Sequence, residues 1–331
     1  MPPRFSVAMC TYNGARFVAE QLASVAAQTR PPDELVVCDD RSTDGTVALV
    51  EAFAARAPFP VRLHVNERNL GSTRNFGCAV ALASGDLIAL SDQDDVWRPE
   101  KLERLAARFA ARPEVGLVFS DAELVDERLR PLGRRLWEGV GFGPREQRLV
   151  RRGRALDVLL PGWHVTGATL AFRADFVKLV LDIPEDLALI HDGWIALLVS
   201  AVSAADFVEE PLIDYRQHAR QQVGVSEKPA GEPGVAAAAR RVNTYGELIR
   251  TAERARGRLA AWGGREALRS VAQLDARLKH LRARDGLPAS ALGRVPPVLR
   301  ELLMLRYHRY SAGARSALKD LLVRKGVESS Q

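Results

Sequence analysis

The sequence has little cysteine and no long apolar run. Its three cysteines form an odd number and include no C-x-x-C pair, so we expect neither a disulfide framework nor a structural zinc site, and a reducing cytoplasm is the default compartment. The most apolar stretch, residues 195–208, contains Ser200, Ser203 and Asp206 and is shorter than the roughly 18–20 residues that cross a bilayer. The apolar run 5–10 is too short for a signal peptide. We therefore expect a cytoplasmic protein without a transmembrane helix.

Two common nucleotide-binding signatures are also missing. The sequence contains no G-x-x-x-x-G-K-[ST] motif, and no G-x-G-x-x-G follows the first apolar run. Gly71 opens a segment that could favour an anion at a helix start, but glycines at such junctions often serve only the turn. The absences exclude a P-loop enzyme and a dinucleotide-binding dehydrogenase of the usual kind.

The positive charge is concentrated at one end of the chain. The 47 Lys and Arg against 41 Asp and Glu give a net charge of +6. Residues 236–325 hold 20 basic and 7 acidic residues, a net of +13, and residues 326–331 add one Glu. Residues 1–235 therefore carry 27 basic and 33 acidic residues, a net of −6. This asymmetry indicates a basic C-terminal region with a partner of its own.

The apolar pattern of the first half is typical of an α/β protein. Short apolar runs alternate with segments of helical spacing, and the runs cover residues 5–10, 34–38, 61–65, 87–90 and 115–119. Such alternation predicts a doubly wound, mostly parallel sheet with helices on both faces. In sheets of this kind, ligands bind beyond the carboxyl ends of the strands.

The second half is less regular. We interpret residues 132–155 as a long surface loop, because they show no clear period, and residues 165–173 as a strand. Residues 226–234 have the composition of a linker. The chain beyond them is predicted to be helical, so residues 235–331 form a basic helical C-terminal region.

Acidic side chains follow two of the predicted strands. Asp39 and Asp40 follow residues 34–38, and Asp92, Asp94 and Asp95 follow residues 87–90. Close carboxylates repel by about 1–4 kcal/mol at 4 Å, so a cluster of this kind needs a compensating cation. Mg²⁺ is usually held by one or two carboxylates together with substrate phosphates. The alternative is that Asp94 or Asp95 only caps the helix near Pro99.

Four ordered motifs within the first hundred residues resemble those of family-two glycosyltransferases. They are V-A-M-C-T-Y-N-G at 7–14, V-V-C-D-D-R-S-T-D-G-T at 36–46, N-L-G with R-N-F-G at 69–77, and S-D-Q-D-D-V-W at 91–97. The last is similar to the D-x-D metal motif of bacterial enzymes that build O-antigen, rhamnosyltransferases among them. Arg41 stands where the family pattern usually has glycine, and glycine adopts positive φ more readily.

The resemblance implies a GT-A fold and roles for the first half. Thr11 and Asn13 would line the nucleotide pocket, and Asp39 would contact the base. Asp92 would reach the ribose, and Mg²⁺ or Mn²⁺ would be held by Asp94, with Asp95. Arg74 would add a positive charge, although a surface ion pair is an equal alternative. The full predicted nucleotide-sugar site comprises Thr11, Asn13, Asp39, Asp40, Asn69, Gly71, Arg74, Asp92 and Gln93.

The resemblance also assigns roles in the second half. Asp192, in the segment H-D-G-W, would be the catalytic base that removes the acceptor proton; a helix cap is the alternative. His218 would reach the metal or the diphosphate, unless it is only structural. Trp163 could stack on a sugar or pack in the core. The predicted acceptor-binding residues are Trp163, Gly167, His191 and Trp194.

These observations predict an inverting, metal-dependent glycosyltransferase. Residues 1–98 would bind a nucleoside-diphosphate sugar (dTDP-rhamnose or a UDP-sugar), and residues 99–225 a saccharide or lipid-linked acceptor. The basic helices could dock peripherally on the inner face of the cytoplasmic membrane, and no nucleic-acid recognition motif is present. The alternatives are a non-catalytic nucleotide-sugar-binding subunit, which would not need His191 and Asp192, and a sugar-nucleotide pyrophosphorylase, which should have a Gly-rich basic loop after its first strand.

Overall fold

The computed structural model describes residues 3–160, 162–187, 189–219, 221 and 245–322. Its contacts divide the chain into two compact units, residues 1–241 and 242–331. Residues 1–98 and 99–225 both fall in the first unit. The predicted linker 226–234 lies outside the described residues.

A single sheet organises the first unit. Within the residues described there, it has nine strands: β1 (Phe5–Thr11), β2 (Glu34–Asp39), β3 (Val61–Val65), β4 (Leu87–Ser91), β5 (Val96–Trp97), β6 (Val115–Val125), β7 (Pro131–Arg135), β8 (Leu170–Arg173) and β9 (Ala204–Arg216). The spatial order is β3-β2-β1-β4-β8-β6-β9-β5, and β7 pairs with β6.

The first four strands of this order run parallel to one another. Thr11 at the end of β1 lies opposite Asp39 at the end of β2, and Met9 lies opposite Ser91 at the end of β4. The carboxyl ends of these strands therefore meet at one edge of the sheet. The second half is mixed, because β8 runs antiparallel to both β4 and β6, whereas β6 and β9 are parallel.

The described helices of the first unit surround the sheet. They are α1 (Val18–Ala26), α2 (Thr46–Ala54), α3 (Ser72–Leu82), α4 (Lys101–Ala111), α5 (Leu136–Val140), α6 (Pro144–Arg151), α7 (Ala155–Leu159), α8 (Val177–Val180) and α9 (His191–Val202). Strands β1, β2 and β4 are buried at every position, as expected for strands covered on both sides. All three cysteines are free thiols in this structure.

The predicted loop 132–155 is wrong. The segment forms β7, α5 and α6 and enters α7. It was missed because its buried residues are few and have no helical or strand period: Leu136, Trp137, Phe142, Val150 and Ala155. The predicted strand 165–173 is shorter than expected, since β8 begins at Leu170 and follows a 3₁₀ turn, Gly167–Thr169.

The described part of the second unit is helical. It consists of α10 (Tyr245–Trp262), α11 (Arg265–Asp285), α12 (Ala291–Leu303), α13 (Arg306–Tyr310) and α14 (Ala314–Leu322). A small core forms around Val298, Tyr307 and Ala317. Among the described residues, no helix has both the length and the apolar character needed to cross a membrane. The predicted α/β fold with a helical C-terminal region is thus confirmed.

Candidate active site

One buried carboxylate ties the ends of β1 and β2 together. The hydroxyl of Thr11 donates to Asp39 Oδ2 over 2.7 Å. The backbone N–H of Ser42 donates to Asp39 Oδ1 over 2.7 Å, and the Ser42 hydroxyl donates to Oδ2 over 2.6 Å. Asp39 is fully buried, so it fixes the loop after β2 against β1. A direct contact between Asp39 and a nucleotide base stays a prediction.

The loops after β1 and β2 are joined by a second contact. Asn13 Oδ1 accepts a hydrogen bond from the backbone N–H of Thr43 over 2.9 Å. Asn13 has φ 46° and Arg41 has φ 63°, and asparagine tolerates this left-handed region better than arginine does. The position where the family pattern usually has glycine therefore does adopt a positive φ in this chain.

Asp40 organises the loop that leads into α3. Its Oδ1 accepts hydrogen bonds from Asn66 Nδ2 over 2.8 Å and from the N–H of Leu70 over 2.7 Å. Its Oδ2 accepts from the N–H of Gly71 over 2.8 Å, and Asn69 Nδ2 donates to the Asp40 carbonyl over 3.3 Å. The adjacent acids Asp39 and Asp40 thus hold two different loops at the sheet edge.

Gly71 and Arg74 lie at the start of α3. Gly71 immediately precedes the helix and has φ 81°, which favours glycine. The Arg74 guanidinium forms an ion pair with Glu185, and both side chains are about half exposed. The surface ion pair considered for Arg74 is therefore present, and a contact with the donor stays a prediction.

Gln93 clamps the loop after β1. Its Oε1 accepts a hydrogen bond from the Tyr12 N–H over 2.8 Å, and its Nε2 donates to the Tyr12 carbonyl over 3.0 Å. A Cβ added at Gly14 would lie 2.0 Å from Gln93 Oε1. Glycine at position 14 therefore leaves the space that this clamp needs.

The acids after β4 share a crowded electrostatic environment. Burial and the charges of Asp94 and Asp192 raise the pKa of Asp92 to about 8, while Lys101 acts in the opposite direction. Burial, with the charges of Asp94 and Asp92, also raises the pKa of Asp95 well above its usual range. The structure therefore brings Asp192 of the second half near the acids of the first half.

The donor set around Asp94 fits a divalent cation. His218 Nε2 lies 2.8 Å from Asp94 Oδ2, although the residues are far apart in sequence. Asp95 Oδ1 accepts from the Arg216 N–H over 3.0 Å, and its buried Oδ2 has no partner. No group of three or more metal-binding side chains forms among the described residues. Asp94 and His218 would therefore supply two ligands, and substrate phosphates would complete the coordination.

Asp192 lies in the first turn of α9, next to Gly167. Its Oδ2 accepts a hydrogen bond from the Gly167 N–H over 2.9 Å, and its Oδ1 accepts from the Gly193 N–H. Burial raises the pKa of Asp192 to about 7, and the two N–H donors limit that rise. The capping position of α9 is Ile190, so Asp192 is not the helix cap. A carboxyl with a pKa near neutral suits a general base.

His191 packs against both Phe76 and Gly167. Its ring stacks on Phe76 with centroids 3.9 Å apart, and its buried Nδ1 has no partner. Burial lowers the pKa of His191 to about 3, so the imidazole is neutral. A Cβ at Gly167 would lie 3.1 Å from His191 Nε2 and 3.3 Å from Asp192 Cβ. Glycine at position 167 thus allows the 3₁₀ turn that precedes β8 to approach α9 closely.

The two tryptophans of the predicted acceptor site differ in exposure. Trp163 is partly exposed, and its Nε1 donates to the Val165 carbonyl over 2.7 Å. Trp194 is 1% exposed, and its Nε1 donates to the Val180 carbonyl over 3.2 Å. Trp194 therefore packs in the core, which leaves Trp163 as the tryptophan that an acceptor could reach.

Two buried basic residues of the site were not predicted. Lys101 is fully buried, donates to the Ala168 carbonyl over 2.6 Å and lies 3.5 Å from the centre of the Trp97 ring. Arg216 is also buried and donates from Nε to the Asp94 carbonyl over 2.7 Å. Lys101 lies on the buried side of α4 together with Leu102 and Leu105. This helical spacing was the signal in the sequence that could have indicated its burial.

Comparisons with known proteins connect this geometry to one family. Residues 6–177, just over half of the chain, match the family described as "Glycosyl transferase family 2". The dTDP-rhamnosyl transferase RfbG of Shigella flexneri is 25% identical over 228 residues, which cover 66% of this chain and 74% of RfbG. The chain spans only 57–65% of the length of the first curated relatives that it matches.

Solved structures show the same fold. TarS 1–349 of S. aureus, crystallised with UDP, aligns with 96% of this chain and 80% of its own, at 18% identity and a TM-score of 0.56. The mannosyltransferase PcManGT from Pyrobaculum calidifontis, in complex with GDP-Man and Mn²⁺, aligns with 96% of this chain and 78% of its own, at 20% identity and a TM-score of 0.52. These likenesses confirm the predicted fold class.

Proposed function

Because the chain belongs to glycosyl transferase family 2, we propose that it is an inverting, metal-dependent glycosyltransferase of cell-surface polysaccharide synthesis. The donor is a nucleoside-diphosphate sugar, either dTDP-rhamnose or a UDP-sugar. The similarity to RfbG supports the first and the UDP complex of TarS supports the second. The acceptor is a hydroxyl group of a saccharide or of a lipid-linked saccharide.

One observation carries this proposal: Asp192 shares its electrostatic environment with the acids after β4. The acceptor oxygen forms a bond to the anomeric carbon while the bond from that carbon to the diphosphate breaks. The acceptor proton passes to Asp192. The N–H groups of Gly167 and Gly193 favour the charged form, so a useful fraction of Asp192 is ionised near neutral pH.

The residues at the sheet edge bind the donor. The loops fixed by Thr11, Asp39 and Asp40 form the nucleotide side of the site, and Gln93 holds the backbone at Tyr12 in place. These loops are ordered by hydrogen bonds within the protein, which lowers the entropic cost of binding.

Asp94 and His218 would hold Mg²⁺ or Mn²⁺, with Asp95 behind them as a further carboxylate. The ion would supply positive charge where negative charge builds up on the departing diphosphate. The Mn²⁺ complex of PcManGT supports a divalent ion in this fold.

The base assignment is tested by Asp192→Asn. We expect kcat to fall by about 10²–10⁴-fold with little change in donor affinity, because the amide cannot accept the acceptor proton. Asp175→Asn, which neutralises an exposed carboxylate of the same unit, is the matched control. Release of nucleoside diphosphate is the readout, and release of pyrophosphate would indicate a pyrophosphorylase. Turnover near the wild-type value in Asp192→Asn would refute the assignment.

The metal ligand is tested by Asp94→Ala. Donor binding, measured by titration calorimetry with and without Mn²⁺, should lose its dependence on the metal while the metal-free affinity stays unchanged. If Mn²⁺ strengthens donor binding in the variant as much as in the wild type, Asp94 is not a ligand.

We further propose that the protein works at the inner face of the cytoplasmic membrane, where lipid-linked acceptors are available. The net charge of +13 in residues 236–325 supports attraction to anionic lipid.

A further inference from the structure

Helix α12 exposes several of its apolar residues and buries two of its charged residues. Arg294 and Glu301 are each 4% exposed, whereas Leu292 is 87% and Leu303 is 84% exposed. A helix on the surface of a globular protein ordinarily shows the opposite arrangement. This inversion is the most unusual feature of the second unit.

The exposed residues of α12 form one continuous apolar face. With 3.6 residues per turn, positions 292, 295, 296, 299 and 303 fall within an arc of roughly 100°. Every one of these positions is both apolar and exposed. We call this set the α12 face: Leu292, Val295, Pro296, Leu299 and Leu303.

The inward side of α12 is fixed by specific hydrogen bonds. Arg294 donates from Nε to the Pro288 carbonyl over 2.9 Å and from Nη2 to the Ala289 carbonyl over 2.8 Å. Glu301 lies 2.8 Å from His280 Nδ1 and accepts from Arg306 over 2.7 Å. Rotating the helix to bury the leucines would break these contacts, so the α12 face is a built feature of the fold.

The exposed charges of the segment that contains α12, residues 291–322, are all of one sign. Within residues 291–322, the exposed side chains with full charges are cationic and none is acidic: Arg300, Arg309, Arg315 and Lys319. The two acids of this segment are engaged inside the unit, Glu301 as described and Asp320 with Arg284 and Tyr307. The surface therefore combines leucine with positive charge.

The end of α12 extends this surface. Leu303, Met304 and Leu305 follow one another and are 84%, 48% and 65% exposed. Leu305 has φ 55°, an uncommon conformation for a large side chain. Strain of this kind persists where the surroundings impose it, often at functional positions.

We propose that the α12 face inserts into the interfacial region of an anionic lipid membrane, with the neighbouring arginine and lysine side chains at the headgroups. Leucine on one side and cations around it are the features of helices that lie in a membrane interface. A second copy of the chain fits less well, because a symmetric contact would bring like charges together. The inference rests on the proposed function only in explaining why the enzyme would need a membrane.

The test is co-sedimentation with vesicles of phosphatidylcholine, with and without 30 mol% phosphatidylglycerol. We expect the full-length protein to bind the anionic vesicles, and the triple variant Leu292→Gln/Leu299→Gln/Leu303→Gln to bind at least tenfold more weakly, since each leucine withdrawn from water contributes about tenfold or more. Leu268→Gln, which changes an exposed leucine of α11, should bind like the wild type. Thermal melts would confirm that both variants are folded.

The inference would be overturned by equal binding to neutral and anionic vesicles, by equal vesicle binding of the wild type and the triple variant, or by a dimer in light scattering that only the triple variant loses. Binding of the wild type to an acidic protein but not to vesicles would also overturn it. Release of nucleoside diphosphate with a water-soluble acceptor should be the same in the wild type and the triple variant. If that release is absent from both, the proposed function fails while the vesicle result still decides the inference.

Discussion

Replacing Asp192 by asparagine should stabilise the first unit at alkaline pH while it removes activity. Burial raises the pKa of Asp192 from 3.8 to about 7. An acid whose pKa is higher in the folded state stabilises the fold fully below its unfolded pKa. That contribution is then lost as the pH rises through the folded value. In the wild type this loss of stability therefore grows between about pH 4 and pH 7 and keeps its full size above pH 7, whereas the variant shows no such loss.

The size of the effect follows from the same pKa difference. Each unit of pKa difference corresponds to 1.36 kcal/mol, so the full cost of ionisation is about 4 kcal/mol. Between pH 5 and pH 8, the unfolding free energy of the variant should gain roughly 2–3 kcal/mol over that of the wild type. The amide nitrogen of asparagine would face one of the two N–H donors, at a cost of about 1–3 kcal/mol that does not depend on pH.

The assay is urea unfolding at pH 5, 6, 7 and 8, followed by tryptophan fluorescence. Four of the five tryptophans belong to the first unit, which makes the signal report mainly on it: Trp97, Trp137, Trp163 and Trp194. The pKa of His191, which burial lowers to about 3, affects both proteins alike. Asp175→Asn should show no pH-dependent gain. A stability difference that stays constant from pH 5 to pH 8 would refute the buried, high-pKa description of Asp192.

Three further substitutions probe the backbone around the site. Gly14→Ala should displace the Gln93 amide, since its Cβ would lie 2.0 Å from Gln93 Oε1. The KM for the donor should therefore rise as it does in Gln93→Ala. If the losses of the two variants add up in the double variant Gly14→Ala/Gln93→Ala, the two changes do not share a cause. Arg41→Gly should raise the unfolding free energy by roughly 1 kcal/mol, because φ 63° is costly for arginine; an unchanged urea midpoint would contradict this. Gly167→Ala should lower kcat at least tenfold and leave donor KM unchanged, because the added methyl group presses on His191 and Asp192; weaker donor binding instead would place residue 167 on the donor side.

The first half of the fold was predictable from sequence because three of its strands, β1, β2 and β4, are buried at every position. Such strands appear as continuous apolar runs, and the functional acids follow them directly. The insertion of β8 between β4 and β6 was not predictable, since β8 has only four residues and pairs with strands far away in the chain. The helices within residues 132–155 were missed for a related reason: they contribute few apolar residues to the core.

The site residues were predictable as a set, but not as an arrangement. Motif spacing indicated Asp94 and His218 separately, whereas their 2.8 Å contact depends on the pairing of β5 with β9. The C-terminal region was predicted to be helical, but a helical pattern does not show which side of a helix is buried. Only the three-dimensional structure shows that Leu292 and Leu303 face outward.

The acids after β4 lie on a short connection between two strands that are far apart in the sheet order. Strand β5 is four positions away from β4 in the sheet order, a distance of about 19 Å if the sheet were flat. The five Cα–Cα steps from Ser91 to Val96 reach only about 17 Å when fully extended. The sheet edge must therefore curl toward α1, where the Trp97 N–H donates to the Ser24 hydroxyl over 3.0 Å. The connection is also held from the other side of the sheet, since Arg216 on β9 donates to Asp95 Oδ1 and to the Asp94 carbonyl, so contacts within the protein order the backbone that carries these carboxylates.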